Sequence, residues 1–289
     1  MHDQGILNDV RNIALTWQQA AMLGLALFAA AWALRRTSER RLRRCWPVAR
    51  EAGVIALLYA MWQLAGTLSL LGTAGAFARG RWIVRTEHAW HLPSETDVQR
   101  LILPHQHLVE FCNLYYATMH FAALFAMLAW LFLLHRDQYP RVRTTVVLLT
   151  AGCLLIQFLP VAPPRLLPQY GYVDTATRYG QSVYGALSSA GTAGIDQLSA
   201  MPSVHVGWSV LVGLTVVQVG RSRWRWAAIM HPVVTIFVVV ATGNHFWLDG
   251  IVAVALLAVA LAIQRVADTA RRRTIVDRSV IATAVPADR

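Results

Sequence analysis

Lysine is absent from the sequence: all 26 basic residues among its 289 are arginines. This absence excludes mechanisms that need an amine nucleophile, such as Schiff-base formation. Charge of either sign is scarce, since 14% of the residues are charged where a soluble domain averages about 25%. A chain so poor in charge is not expected to form the basic, solvated groove of a nucleic-acid-binding protein, even though its net charge is +11.

Cysteine is the next scarce residue. The three cysteines, Cys45, Cys112 and Cys153, show no paired spacing, which excludes a disulfide-stapled secreted domain. We interpret them as small apolar residues of a packed interior. Disorder is excluded as well, because 56% of the residues are hydrophobic.

The abundant apolar residues form seven runs that are long enough for a helix to cross the bilayer core, which takes about 20 residues. The runs cover residues 12–34, 52–78, 111–134, 144–164, 202–220, 226–243 and 246–264. The sequence therefore predicts an all-α fold, a polytopic membrane helix bundle of about seven transmembrane helices. A cleaved signal peptide is the alternative for the first run, although its charged flank lies at the wrong end and its apolar stretch is too long.

The arginines indicate the orientation, because cytoplasmic loops retain positive charge. Nineteen of the 26 follow the first, third, fifth and seventh runs, and seven lie on the other side. This asymmetry predicts a multi-pass plasma-membrane protein with an external N-terminus. We divide the chain into an N-terminal transmembrane helix with an arginine-rich cytoplasmic loop (1–51), a membrane-embedded core (52–265) and a cytoplasmic tail (266–289) that is predicted to be disordered.

Two connections on the outer side have sequence features of their own. Ser94 and Asp97 have the spacing of a helix N-cap and its N3 residue. The apolar residues that follow share one helical face: Val98, Leu101 and Ile102. An amphipathic helix at the membrane interface and a solvated connecting helix both fit this pattern. The long connection at 166–201, rich in Gly, Ser, Ala and Tyr, favours a lid or substrate-entry loop.

Three polar segments are expected on the outer face: 161–165 (Val-Ala-Pro-Pro-Arg), 201–205 (Met-Pro-Ser-Val-His) and 243–249 (Gly-Asn-His-Phe-Trp-Leu-Asp). Two bilayer passes use about 40 residues, and His245 lies 40 positions after His205. The two histidines should therefore return to the same depth on the same side. Ionisable residues at membrane depth are expensive, so these are candidates for a functional site.

Two of the segments suggest a phosphate site. Pro202 suits the first turn of a helix, whose N-terminal N–H groups bind anions, and Ser203 adds a hydroxyl. Arg165 carries a planar set of donors that matches phosphate oxygens.

The histidines supply the chemistry for such a site. Asp249 lies four residues after His245, so in a helix its carboxylate can orient the imidazole as a nucleophile. His205 can then give a proton to the leaving group. Together the residues predict phosphoryl transfer through a covalent phosphohistidine.

The three segments resemble the signature motifs of the type 2 phosphatidic acid phosphatase superfamily, in particular its branch similar to fungal inositol phosphorylceramide synthase. Arg165 after a proline matches the end of the first motif, residues 202–205 match the Pro-Ser-x-His of the second, and His245 with Asp249 match the His-x-x-x-Asp of the third. The resemblance covers roughly residues 111–264. It implies a six-helix core, to which the first run is an addition.

The resemblance also implies roles for single residues. His245 is implied as the nucleophile, Asp249 as its partner and His205 as the general acid. Arg165 and Ser203 are implied as substrate phosphate-binding residues. No metal and no cofactor are implied.

Two positions depart from the superfamily pattern. The first motif usually begins with a lysine seven residues before its arginine, where this chain has Phe158. The third motif usually carries an arginine six residues before its histidine, where this chain has Val239. The missing cations weaken the case for a generic phosphatase and leave the substrate and the acceptor open.

A second group of polar residues lies nearby in the third run. Asn113, Tyr116 and His120 share one helical face, where they could line a headgroup pocket or form interhelical hydrogen bonds. His105 and His107 suggest a metal, but no third ligand is near them in the sequence.

The remaining polar candidates are weaker. His231, next to a proline in the cytoplasmic half of its run, is expected to be structural. Asp174 and Asp196 in the outer connection fit helix caps and acceptor-binding groups equally well.

The sequence therefore predicts an integral membrane lipid phosphatase or phosphotransferase that acts without metal on a phospholipid, or on a prenyl or other lipid phosphate, at the outer leaflet. Its expected partners are the lipid substrate and the bilayer, and its oligomeric state stays open. A non-enzymatic transporter or lipid-binding bundle is the alternative. Such a bundle should carry polar residues at the membrane midplane, whereas here they cluster near one surface.

Overall fold

The computed structural model describes residues 15–67, 75–181 and 196–284. Within these ranges the regular structure is helical, and the β pairing consists of one isolated bridge between Val161 and Ser199. The predicted all-α class is confirmed. Parts of four predicted elements fall outside the described residues: the start of the first run, residues 68–74 of the second, residues 182–195 of the outer connection, and residues 285–289 of the tail.

The α-helices, numbered in chain order, have the following bounds. They are α1 (Trp17–Arg36), α2 (Arg40–Arg43), α3 (Trp46–Thr67), α4 (Ala76–Ala89), α5 (Glu95–Ile102), α6 (Gln106–Leu134), α7 (Tyr139–Gln157), α8 (Thr175–Arg178), α9 (Val204–Val219), α10 (Met230–Ala241) and α11 (Trp247–Ala284). Short 3₁₀ turns lie at Pro164–Leu166, Pro168–Tyr170, Asp196–Leu198 and Arg223–Ile229.

Within the described ranges, five helical segments are long and apolar enough to cross a membrane. They are α1, α6, α7, the continuous helical segment Arg223–Ala241, and the part of α11 from Trp247 to Thr269. Helix α9 is apolar but shorter, with 16 residues. The protein is a multi-pass helical membrane protein.

The structure differs from two of the predicted boundaries. The second run, predicted as one span over 52–78, is not one continuous helix, because Gly75 is left-handed and α4 starts after it at Ala76. The tail at 266–289, predicted to be disordered, continues α11 as helix to Ala284. Helix α11 lacks glycine and proline after Gly250, so its backbone meets no strong helix breaker there.

Large aliphatic side chains from four helices form the main core. Its fully buried members include Leu131 of α6, Leu149 of α7, Leu211 of α9 and Leu257 of α11. A second buried cluster joins α10 to the first half of α6. The N-terminus of α9 and the C-terminus of α10 lie next to these clusters, so the polar segments that adjoin them are held by packed helices.

Helices α1 and α3 pack against each other through small residues. A Cβ atom built on Gly24 would lie 2.8 Å from Leu57, and one built on Gly53 would lie 3.2 Å from the Gly24 carbonyl oxygen. Small residues allow such close contact between helices in lipid. A polar contact links this pair to α7, because Arg143 Nη1 donates to Glu51 Oε1 at 2.6 Å.

Candidate active site

The three polar segments converge at one end of the bundle. The Arg165 amide donates to the Gly243 carbonyl at 2.8 Å, which joins the first segment to the third. The Ser203 amide donates to the Asp249 carbonyl at 3.1 Å, which joins the second to the third. The structure thus brings together residues that lie up to 84 positions apart in the sequence.

His245 has a defined tautomer. Its Nδ1 lies 2.7 Å from the Ala200 carbonyl oxygen and 3.3 Å from Asp249 Oδ2. Both neighbours act as hydrogen-bond acceptors. The Ala200 carbonyl oxygen has no hydrogen to donate, and Asp249 Oδ2 already accepts the Phe246 amide at 2.9 Å. Nδ1 must therefore carry the proton, and the lone pair of the neutral ring lies on Nε2. Among the described residues, Nε2 is buried and has no hydrogen-bond partner.

His205 lies beside His245, with a distance of 5.4 Å between the ring centroids. It is the second residue of α9, and its ring stacks on Tyr116 at 4.3 Å. His120 contacts it from another side, at 4.1 Å between centroids. The expectation that the two motif histidines return to the same depth agrees with this geometry.

Arg165 is buried, with 6% of its surface exposed. Its Nε donates to Asn244 Oδ1 at 3.1 Å, and its Nη1 forms an ion pair with Asp174 Oδ2 at 3.0 Å. Asn244 directly precedes His245, so this hydrogen bond connects the Arg165 guanidinium to residues 243–249, which we call the histidine loop. Asp174 also accepts the Thr177 amide and caps α8, as predicted for one of its two roles; a role in binding the acceptor stays a prediction.

Ser203 is fully buried and is the N-cap of α9, where its Oγ accepts the Val206 amide at 3.4 Å. The helix begins at Val204. The sequence placed Pro202 in the first helical turn, and this was wrong, because Pro202 precedes the cap. The cap satisfies one of the free N–H groups of the first turn.

The predicted polar face of the third run divides into two parts. Tyr116 and His120 contact His205, as described above. Asn113 instead holds the outer connection: its Nδ2 donates to Gln181 Oε1 at 2.9 Å, and its Oδ1 accepts from Thr175 Oγ1 at 2.9 Å. A headgroup pocket formed by all three stays a prediction.

The weaker candidates lie away from these histidines. His107 pairs with Glu110 on the surface, and among the described residues no group of three His, Cys, Asp or Glu side chains is arranged to hold a metal. His231 accepts or donates a hydrogen bond with the Tyr115 hydroxyl at 2.9 Å, which fits its expected structural role. The side chain of Asp196 lies outside the described part of the chain.

Helices α4 and α5 carry a set of buried polar residues that the sequence did not indicate. Glu87, Glu95 and Gln99 are each at most 4% exposed. Gln99 clamps the outer connection through both Val173 backbone groups, at 2.8 and 2.9 Å. On α5, Ile102 is buried and Leu101 is 66% exposed; the location of this helix at the membrane interface stays a prediction. A polar i, i+4 pair on an amphipathic helix normally indicates its solvated face, so the sequence carried no signal for its burial.

Fold and site together define an integral membrane protein with a buried, histidine-centred polar site at one end of its helix bundle. A family model described as the PAP2 superfamily matches residues 81–263. The match spans more than half of the chain, and the protein belongs to this superfamily. A search of the curated proteins and a search of the solved structures each found no significant match.

The family match covers the three polar segments and most of α4. It begins within α4, includes all three motifs and ends within α11, whereas α1 and α3 precede it. Val239, one of the two positions that depart from the superfamily pattern, is 2% exposed and its carbonyl accepts the His245 amide at 3.1 Å. An apolar side chain fits this buried position.

Proposed function

We propose that the protein is a lipid phosphatase or lipid phosphotransferase that works through a phosphohistidine on His245. One observation carries the proposal: two acceptors hold Nδ1 of His245, so the lone pair of the ring lies on the buried Nε2 beside His205. A neutral, oriented imidazole of this kind is a competent nucleophile. Membership of the PAP2 superfamily supports an enzyme of this general type.

The reaction has two steps. His245 Nε2 attacks phosphorus and forms a P–N bond while the P–O bond to the leaving group breaks, and protonated His205 gives its proton to the departing oxygen. Water or an alcohol then attacks phosphorus, the P–N bond breaks, and His205 takes the proton of the attacking oxygen. Both histidines return to their starting states, and Asp249 stabilises the positive charge that develops on His245.

The substrate phosphate is held by Arg165 and by the first turn of α9. Arg165 supplies planar donors, and the N–H groups of Val204 and His205 lie at a helix N-terminus that favours an anion. Ser203 shapes this terminus as its cap and has a hydroxyl hydrogen to offer. Tyr116 and His120 flank His205 on the headgroup side. No metal takes part in these steps.

Hydrolase and transferase differ only in the acceptor of the second step. The motifs resemble those of the inositol phosphorylceramide synthase branch, and two cations usual in phosphatases are replaced by Phe158 and Val239. Both features favour an acceptor such as a lipid or polyol hydroxyl. We place the site at the outer leaflet of the plasma membrane because the arginine-rich connections lie at the opposite end of the spans.

The chemistry is tested on purified protein in detergent with a chelator present. Phosphate release and headgroup exchange are measured on phosphatidic acid, a prenyl diphosphate and an inositol phospholipid. We expect the wild type to act on at least one of them and to form an acid-labile, base-stable phosphoenzyme that is absent from His245→Ala. Equal behaviour of the two proteins on all three substrates would establish a non-enzymatic bundle instead.

The topology is tested separately in intact cells. Tyr170, which is 38% exposed near the site, is replaced by cysteine and labelled with an impermeant maleimide. The native Cys45 is exposed in the arginine-rich loop and serves as the internal control. We expect Tyr170→Cys to react from outside and Cys45 only after permeabilisation, and the reverse pattern would overturn the orientation.

A further inference from the structure

Two buried carboxyl groups meet behind the histidine loop. Glu87, near the end of α4, and Glu95, the first residue of α5, are each 4% exposed. The two carboxyl groups lie close enough to act on each other. Their outer ends are anchored on different elements: Glu87 Oε1 accepts the Leu248 amide at 2.7 Å, and Glu95 Oε2 accepts the Tyr172 hydroxyl at 2.9 Å.

The inner oxygens of this pair determine its protonation. Within the described residues, Glu87 Oε2 and Glu95 Oε1 are buried and have no donor among the protein groups. An ionised carboxylate only accepts hydrogen bonds, so two buried carboxylates facing each other would repel. One proton placed between the two oxygens satisfies both, and the chain of hydrogen bonds from the Leu248 amide to the Tyr172 hydroxyl is then complete.

The charges around the pair act in the same direction. Asp249 of α11 faces both carboxyl groups, and Tyr172 faces Glu95 from the connection after α7. Burial, followed by the neighbouring Glu95, raises the pKa of Glu87 above the usual carboxyl range.

We propose that Glu87 and Glu95 share one proton and act as a positioning pair that holds the first turn of α11, and with it His245 and Asp249, in place. Leu248 directly precedes Asp249, so a shift of its amide moves the group that orients the nucleophile. When the shared proton is lost at alkaline pH, Glu87 and Glu95 both become negatively charged. Their repulsion displaces Glu87 from the Leu248 amide and so loosens the first turn of α11. The positioning claim rests on the proposed function, whereas the shared proton does not.

The direction of the pH effect follows from the raised pKa. The native protein holds the proton more tightly than the unfolded chain does, so the contribution to stability is complete below the ordinary carboxyl pKa. It is lost as the pH rises through the raised value. The first turn of α11 should therefore loosen on the alkaline side.

The shared proton is tested without any substrate. Infrared difference spectra of the purified protein at neutral pH are compared for the wild type, Glu87→Gln and Glu95→Gln. An amide can donate to the remaining carboxylate, so we expect the band of a protonated carboxylic acid to disappear in both variants. Asp97→Asn, an exposed change on the same helix as Glu95, should retain it. An unchanged band in both Gln variants would show that no proton is shared.

The positioning role is tested by hydrogen exchange of the peptide that contains the Leu248 amide. In the wild type, protection should fall at alkaline pH, and in Glu87→Gln, whose Oε1 still accepts this amide, it should persist. Glu87→Ala should exchange faster at every pH; where it does not fold, the glutamine variant decides. Identical pH profiles for wild type and Glu87→Gln would overturn the proposal.

Enzyme assays test whether the positioning role of Glu87 affects the reaction. They use the same three substrates, phosphatidic acid, a prenyl diphosphate and an inositol phospholipid. We expect Glu87→Ala to lower kcat by about 10-fold or more, because misplacing a reacting group by about 1 Å can cost on the order of 100-fold. Glu87→Gln should keep wild-type kcat and extend activity to higher pH. If the wild type turns over none of the three lipids, the proposed function fails, while the infrared and exchange results still decide on the pair.

Discussion

The helix pair α1–α3 and the core at 81–263 follow different rules of packing. In the pair, the buried residues of α1 are small and apolar, namely Ala20, Gly24 and Ala31. In the core, ionisable groups such as His245 and Asp249 are almost fully buried at one end of the bundle. The helix pair is held by close backbone contact between small residues, whereas the core buries polar and ionisable side chains even though their burial is unfavourable.

The contrast between the two regions indicates which part of the helix bundle carries the function. Lipid is as apolar as a leucine side chain, so a helix can be attached by close packing alone. Burying a polar or charged group is unfavourable unless it is paired or used. The core pairs nearly all of its buried polar groups, and the exceptions beside the histidines mark the proposed chemistry. We therefore expect substitutions in the core to change the reaction and substitutions in the pair to change stability.

The largest effect is expected for His245→Ala. Removal of a covalent nucleophile typically lowers kcat on the order of 10³-fold or more, and no neighbouring group replaces Nε2 here. Phosphate release or headgroup exchange measures this loss. Unchanged circular dichroism and thermal midpoint are required of the variant, since the ring also contacts the Ala200 carbonyl. A residual rate within about tenfold of the wild type, small on the scale of covalent catalysis, would contradict the assigned role.

Asp249→Asn should have the second largest effect. An asparagine amide can donate to Nδ1 of His245 and favour the wrong tautomer, a change that can cost about 10⁴-fold in a catalytic triad. The loss should be smaller here, about 100-fold in kcat, because the Ala200 carbonyl still accepts the Nδ1 proton. Steady-state kinetics measure it, and a matched change at the exposed Asp97 should leave kcat unaltered.

Arg165→Lys should act mainly on binding. A lysine keeps the charge but cannot donate to both Asn244 and Asp174 in the geometry of the guanidinium. The loss of one charge-assisted hydrogen bond, worth about 1.5–3 kcal/mol, corresponds to a rise in KM of about 10-fold or more. Titration of the lipid substrate separates KM from kcat. A selective loss of kcat would instead indicate that the arginine acts in the transition state.

The smallest effect on the reaction is expected for Gly24→Leu. Its side chain collides with Leu57, so it should push α1 away from α3 and destabilise their packing by about 1–3 kcal/mol. The thermal midpoint in detergent should fall while kcat of the folded protein stays at the wild-type value. Leu25→Ala, on the lipid-facing side and 63% exposed, is the control that should change neither. A large loss of kcat in Gly24→Leu would contradict the claim that the helix pair affects stability and not the reaction.

Much of the site was readable in the sequence. Arg165, His205, His245 and Asp249 were found from motifs, and the 40-residue spacing of the histidines gave their common depth, because membrane thickness sets the length of each helix. The structure confirmed the helical class, and it corrected the start of α9, the continuity of the second run at Gly75 and the length of α11. Roles of single residues stay predictions until they are measured.

The class of protein, the motifs and the expected orientation follow from the sequence, since they depend on local composition and on a bilayer of fixed thickness. The position of the proton on Nδ1 of His245, the partners of Arg165 and the burial of Glu87 and Glu95 become visible only in the folded protein. Glu87 and Glu95 look like ordinary surface carboxylates in the sequence. Their burial depends on groups from distant parts of the chain, the Leu248 amide and the Tyr172 hydroxyl, that meet them only after the helices pack.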